Sequence, residues 1–223
     1  MKTALAFLLA ACGGAAALPA SAAGIPLYPT GPAEDSAFIR FVNAAGGSLQ
    51  VQASGSNATL SLPEDKPASD FIPVAANKPV KGTLQQAGRR TPVSVTVKPG
   101  EFATVIALPG DAAQAPAVIK ESPDDFNALR ASLALYNADP GCRDAGLRTA
   151  GRNVEIFAGV ASGRSARRLV NPVSLTVELT CAGKPQGAPI GLGALEAGQR
   201  YSVLVVPGAQ DSRALFAADT VAR

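Results

Sequence analysis

Short apolar runs, some alternating with polar residues at period two, recur along this chain, and no apolar stripe keeps a helical period for three turns. Val93-Ser94-Val95-Thr96-Val97 alternates cleanly, and Pro99-Gly100 turns the chain into a second apolar run over 102–108. Residues 37–42 predict a strand closed by Asn43 and Gly46-Gly47, with 48–53 as the return arm of a hairpin. Shorter strands are predicted near 59–62, 71–74 and 117–119. Further along, 133–136, 154–157, 173–179, 201–206 and 215–217 carry the same signal.

This pattern occurs twice. Phe41-Val42-Asn43-Ala44 returns as Leu135-Tyr136-Asn137-Ala138, and Pro79-Val80 returns as Pro172-Val173. The stretch from Gly100 to Gly110 returns from Gly198 to Gly208, so the offsets are 94, 93 and 98 residues. A repeat kept in order and spacing predicts two similar domains in tandem. The expected fold is all-β: two small antiparallel β-sandwiches, over 28–122 and 127–223, with Ser122-Pro123-Asp124-Asp125 as the linker. Duplication favours a binding or assembly role over a single catalytic cleft.

Composition agrees. The 22 Gly and 18 Pro are spread along the chain, as turns between short strands require. Charge is uneven: 28–126 holds 8 basic and 10 acidic side chains, whereas 127–223 holds 11 basic and 7 acidic. Ten of those eleven bases are Arg, so the second half suits an acidic partner. Nucleic acid is not expected, because no stacking aromatics are interleaved with the charge.

At the start, Lys2 precedes a short apolar stretch and Ala20-Ser21-Ala22 forms an A-x-A site, predicting a cleaved secretory signal over 1–22. Leu9-Ala10-Ala11-Cys12 also fits a lipoprotein signal, the less favoured alternative to a soluble periplasmic form. Cleavage after residue 22 leaves Cys142 and Cys181, an even pair that invites a disulfide in an oxidising compartment; two free buried thiols are the alternative.

The chain has no histidine, which removes Ser-His-Asp and Cys-His catalysis and most zinc sites. No Gly-rich phosphate loop follows a strand and opens a helix. Neither metal nor cofactor is expected, and the protein is not expected to be an enzyme. Glu34-Asp35, Glu64-Asp65 and Asp124-Asp125 pair carboxylates at turns, where solvation is the ordinary role. Sugar stacking has little to draw on, with no Trp and only Tyr28, Tyr136 and Tyr201 as phenols. One constellation stands out: Arg164, Arg167 and Arg168 lie within five residues, followed by Asn171 and a strong strand. Guanidinium groups pair bidentately with carboxylates, so this turn is a candidate contact for an acidic protein face or a uronate polymer.

Several segments together carry a family resemblance. They are Leu27-Tyr28 with the Pro/Gly stretch after it, the run from Ser36 to Ala44, Ser69-Asp70-Phe71, and the Arg-rich turn leading into Asn171-Pro172-Val173-Ser174-Leu175-Thr176-Val177. In this order the chain resembles the AlgF family of alginate O-acetylation accessory proteins. The resemblance implies a non-catalytic periplasmic protein working beside periplasmic acetyltransferases and a membrane-bound O-acyltransferase. Cys142, Cys181 and a longer loop around Cys142 depart from the family pattern and leave the polymer open between alginate and acetylated cellulose. The alternatives are a polysaccharide-binding module and an unrelated tandem β-sandwich adhesion protein.

Overall fold

The computed structural model describes residues 36–110, 115–122 and 127–222. The signal segment, Tyr28, Glu34-Asp35 and most of the 122–125 linker lie outside the described residues. Among the described residues, sixteen strands form four sheets of four. In the N-terminal half these are β1 (Ser36–Asn43), β2 (Leu49–Ala53), β3 (Thr59–Leu62), β4 (Ile72–Ala75), β5 (Pro79–Gln86), β6 (Arg89–Thr96), β7 (Phe102–Ala107) and β8 (Ala117–Glu121). The C-terminal half adds β9 (Ala131–Asn137), β10 (Asp144–Thr149), β11 (Glu155–Ala161), β12 (Arg164–Val170), β13 (Ser174–Cys181), β14 (Lys184–Ala194), β15 (Arg200–Pro207) and β16 (Ser212–Ala218).

The duplication extends to every strand. Sheet orders β4-β1-β7-β8 and β3-β2-β5-β6 recur as β12-β9-β15-β16 and β11-β10-β13-β14. Registers recur too: Asn43 lies beside Ala107 as Asn137 lies beside Val205. Gly100 and Gly198 both turn at positive φ, 71° and 75°, where a side chain is disfavoured. Their N–H groups donate to Ser36 and Arg130 carbonyls, each at 2.9 Å. The two repeat asparagines do the same work. Asn43 Nδ2 donates to the carbonyls of Gly47 and Leu62, and Asn137 Nδ2 to those of Cys142 and Val160, clamping each first strand to the opposite sheet.

Two features differ from the expected plan. β1 and β2 are not a hairpin: β1 pairs with β4 and β7, while β2 crosses to the other sheet and pairs with β3 and β5. Nor are the sandwiches wholly antiparallel, since β1–β7 and β9–β15 are parallel pairs at the sheet centres. The physical reason is burial on both faces. In β1, Ala37, Ile39 and Phe41 enter the N-terminal sandwich core, while Val42, with Ala44 just beyond the strand, enters a separate cluster with Ile106, Ala134, Tyr136, Leu204 and Val206. That third core lies between the two halves and joins the sheets containing β1 and β9 face to face. Strands apolar on both sides read as unbroken runs rather than alternation, as parallel central strands do.

Prolines fall where the ladder tolerates them. Pro73, Pro92, Pro185 and Pro189 all lie in β4, β6 or β14, the edge strands of their sheets.

Candidate functional site

The chemistry of this chain concentrates at the joint between its halves. Arg40 stands alone in the apolar run of β1, and its side chain is 0% exposed. Its Nη1 donates to Asp219 Oδ1 at 2.6 Å, its Nη2 to Ser202 Oγ at 2.9 Å and its Nε to Thr104 Oγ1 at 3.0 Å. Its guanidinium also lies over the rings of Phe71 and Tyr136, with centroids at 4.5 and 5.1 Å. Asp219, Ser202 and Tyr136 belong to the C-terminal half, so this residue stitches the two together.

Arg167 completes the network from the other side. It lies on β12 and reaches across to Glu121 of β8 in a bidentate pair, Nε to Oε2 at 3.1 Å and Nη2 to Oε1 at 2.7 Å. The same Nη2 donates to Asp219 Oδ2 at 2.7 Å, and Nη1 to Ser132 Oγ at 3.1 Å. Arg200 approaches Glu121 at 3.7 Å and lies over the Phe102 ring. Three guanidinium groups thus enclose two carboxylates behind the stacked rings of Phe38 and Phe102, with Phe71 edge-on.

Burial and charge oppose each other here. Burial alone would raise the Asp219 carboxyl, but Arg40 and Arg167 outweigh it and hold the group below its ordinary range. Burial likewise works against the Arg167 charge, and Glu121 and Asp219 overcome it. Tyr136 is pushed up mainly by burial, and its hydroxyl has no hydrogen-bond partner among the described residues. Opposite charges paired this closely, at 2.6 and 2.7 Å, fasten the two halves together.

The candidate residues from the sequence separate. The Arg-rich segment is not a turn: Arg164 through Val170 is β12, paired with β9. Arg167, with a side chain 8% exposed, is committed to the joint and unavailable to a partner. Arg168 points the other way, donating Nη1 to the Ile156 carbonyl while remaining largely exposed. Arg164 and Asn171 are exposed. Cys142 and Cys181 are bonded to each other, with Cα atoms 5.4 Å apart. Glu64 accepts from the Gly47 N–H at an exposed turn.

Arg40, Glu121, Arg200 and Asp219 escaped the sequence reading as a set. One signal was visible, a lone Arg flanked by Phe38-Ile39 and Phe41-Val42, since such a charge is seldom left in an apolar run without partners. Its partners lie up to 179 residues away and no spacing rule reaches them.

No family model matches the chain, and no curated protein matches it. Among solved structures, the C-terminal domain of AlgF from P. aeruginosa is similar at 17% identity, over 40% of this chain and 98% of that domain, with a TM-score of 0.35. A cell adhesion protein from Bacteroides uniformis is similar at 10% identity, over 84% of this chain and 99% of its own, with a TM-score of 0.28. A family 26 carbohydrate-binding module from Eubacterium rectale, solved with maltoheptaose, is similar at 8% identity, over 84% and 98%, again with a TM-score of 0.28. At such scores these likenesses carry no functional inference.

Proposed function

We propose that this chain is a non-catalytic periplasmic adaptor for O-acetylation of an exopolysaccharide, alginate or acetylated cellulose, holding periplasmic acetyltransferases beside a membrane-bound O-acyltransferase. The process comes from the resemblance described above. One observation supports the mechanical role: segments that carry the resemblance meet at the joint. Arg40 and Phe71 from two of them, and Arg167 from the third, lock the halves together. The result is one body with two outer sheets turned away from each other, a geometry suited to touching two partners at a fixed separation. Acetyl transfer to a sugar hydroxyl usually employs a histidine base, and this chain has none to offer.

Arg164, Arg168 and Asn171 remain as the partner-facing set, without Arg167. Exposed charge pairs contribute only about 0.2–1 kcal/mol each, so Arg164→Glu with Arg168→Glu should weaken partner capture where either alone does little. Deleting the gene should lower polymer acetyl content, and the purified protein should move no acetyl group to an oligosaccharide. Unchanged acetylation in the deletion strain refutes the process; acetyl transfer by the protein alone refutes the adaptor role.

A second reading, direct binding of the polymer, draws on a different surface. Two rungs cross the outer face of the N-terminal sandwich, Ser61-Gln50-Gln85-Arg90 and Thr59-Gln52-Thr83-Pro92. Amides and hydroxyls with one guanidinium and no carboxylate suit a hydroxyl-rich or anionic chain. Retardation of the protein in gels cast with polymer, abolished by Gln50→Ala with Gln85→Ala, would favour this reading.

A further inference from the structure

We propose that the N-terminal sandwich holds a binding site for the aliphatic chain of an anionic amphiphile, seated between its two sheets. A cavity of about 350 Å³ opens there, walled by Ile39, Phe41, Val51, Leu60, Ile72 and Val74. Leu60, Ile72 and Val74 are only half-buried, although they pack against the sandwich core.

The duplicated half shows why this space is open. In the C-terminal sandwich the strands matching β3 and β4 are β11 and β12, which pack on each other and are joined through residues 162 and 163 alone. β3 and β4 are joined by residues 63–71 and make no comparable contact. Side chains follow suit. Register sets Gly82 beside Ala53 where Val177 stands beside Thr149, and Val177 is fully buried. Leu60 pairs with Val51 where the larger Phe157 pairs with Leu147. Ile72 pairs with Ile39 where Arg168 pairs with Leu133, and Arg168 ties β12 to β11 through the Ile156 carbonyl. Ile72 has no polar group with which to make that tie. Filling and fastening are therefore present in one copy and missing from the other.

The walls and rim define the ligand. Sheets stacked about 10 Å apart are ordinarily filled by interdigitating side chains, so space left open there is narrow and suits a single unbranched chain. At roughly 30 Å³ per water-sized group, the volume accommodates about ten methylene-sized units. Ser56 and Lys81 also border the cavity, and among the described residues that line it Lys81 alone is charged. An unbranched acyl chain of about eight to ten carbons with a negative head matches both. A free fatty acid and an anionic lipid share that chemistry.

Titration calorimetry on the full-length protein tests the site independently of any role in acetylation. Decanoate should bind one to one, and octanoate about fifteenfold more weakly, since each of its two missing methylenes contributes roughly a factor of four. Decyltrimethylammonium, with the same chain and the opposite head, should bind less well than decanoate, and Lys81→Glu should narrow or invert that order. Leu60→Phe, which imports the residue of the closed copy, should weaken decanoate at least tenfold while leaving the melting temperature equal or higher. Val74→Phe, entering from the other sheet, should act in the same sense. Lysophosphatidylglycerol below its micellar concentration distinguishes the sources: tighter binding than decanoate points to a lipid, weaker binding to the free acid. Absence of saturable decanoate binding, affinity independent of chain length, or indifference to both Phe substitutions overturns the proposal.

Discussion

Arg40 shows what one residue is asked to do in a protein with little aromatic mass and, among the described residues, no helix. Its charge is removed from water, and two carboxylates, three hydroxyls and two rings stand around it and its neighbour Arg167. Removing one member of such a set leaves the others buried without full compensation, so Arg40→Ala should destabilise the protein by about 3–5 kcal/mol in denaturant titrations. Adding Asp219→Asn should then cost less than it does alone, because the two side chains act together. The sign of the pH response follows from Asp219. Its folded pKa is depressed, so its contribution is present above about pH 4 and is lost as pH falls through the folded value. Asp219→Asn should flatten that acid limb of stability. Tyr136 gives the opposite test. Its buried hydroxyl has no hydrogen-bond partner among the described residues, so Tyr136→Phe should be neutral or mildly stabilising, within about 1 kcal/mol.

Among the elements, legibility tracked chemistry. Strands with clean alternation, such as those around 93–97 and 102–108, were readable because one period sets both burial and pleat. β5, β10, β12 and β14 were not. β14 carries Pro185, Gly187, Pro189, Gly191 and Gly193, which resemble loop residues until its position at a sheet edge is known. β12 looked like a charged turn because three of its seven residues are Arg. The repeat asparagines and the Gly100/Gly198 turns were visible as similarity, but their clamping role needed the fold. The disulfide has a counterpart at this scale. Cys181 pairs with Ala145 as Gln86 pairs with Leu49, and Gln86 Nε2 donates to Asn43 Oδ1 at 3.1 Å and to the Gly46 carbonyl. One copy secures its loop by hydrogen bonds, the other by a covalent bond spanning 39 residues. Chain-entropy reasoning assigns such a loop about 4 kcal/mol, so Cys142→Ser with Cys181→Ser should lower the melting temperature markedly, and dithiothreitol should have no further effect on that variant. Equal melting of oxidised and reduced wild-type protein would contradict this.

For the whole molecule, the sequence supports two sandwiches, and the joint is what it conceals. Residues 28–122 and 127–223 were expected to stand as separate domains, and each sandwich does have its own core. Yet Val42, Ile106 and Ile119 on one side and Tyr136, Leu204 and Val206 on the other form a third core, with the Arg–carboxylate network inside the same joint. A half expressed alone would present that apolar face and an unpaired buried charge to water. Fragments 36–122 and 127–222 should each give poorly dispersed NMR spectra or aggregate, and should recover a dispersed spectrum when mixed or co-expressed. Two well-folded monomeric fragments with no affinity for each other would show that the third core is dispensable.

The position of Asp219 along the chain also has a consequence in time. Residues 220–222 pair with Phe71 through the Phe71 N–H to Thr220 carbonyl bond and the Ala222 N–H to Phe71 carbonyl bond, each 2.8 Å long. The carboxylate that Arg40 needs lies 179 residues downstream. During synthesis at about 5–20 residues per second, Arg40 therefore waits roughly ten seconds or more with its charge uncompensated. Contacts of such long sequence separation form late and slowly. The first domain made is thus the last to be finished, and in that interval its naked sheet is the surface most exposed to chaperones, proteases and mispairing with a neighbouring nascent chain.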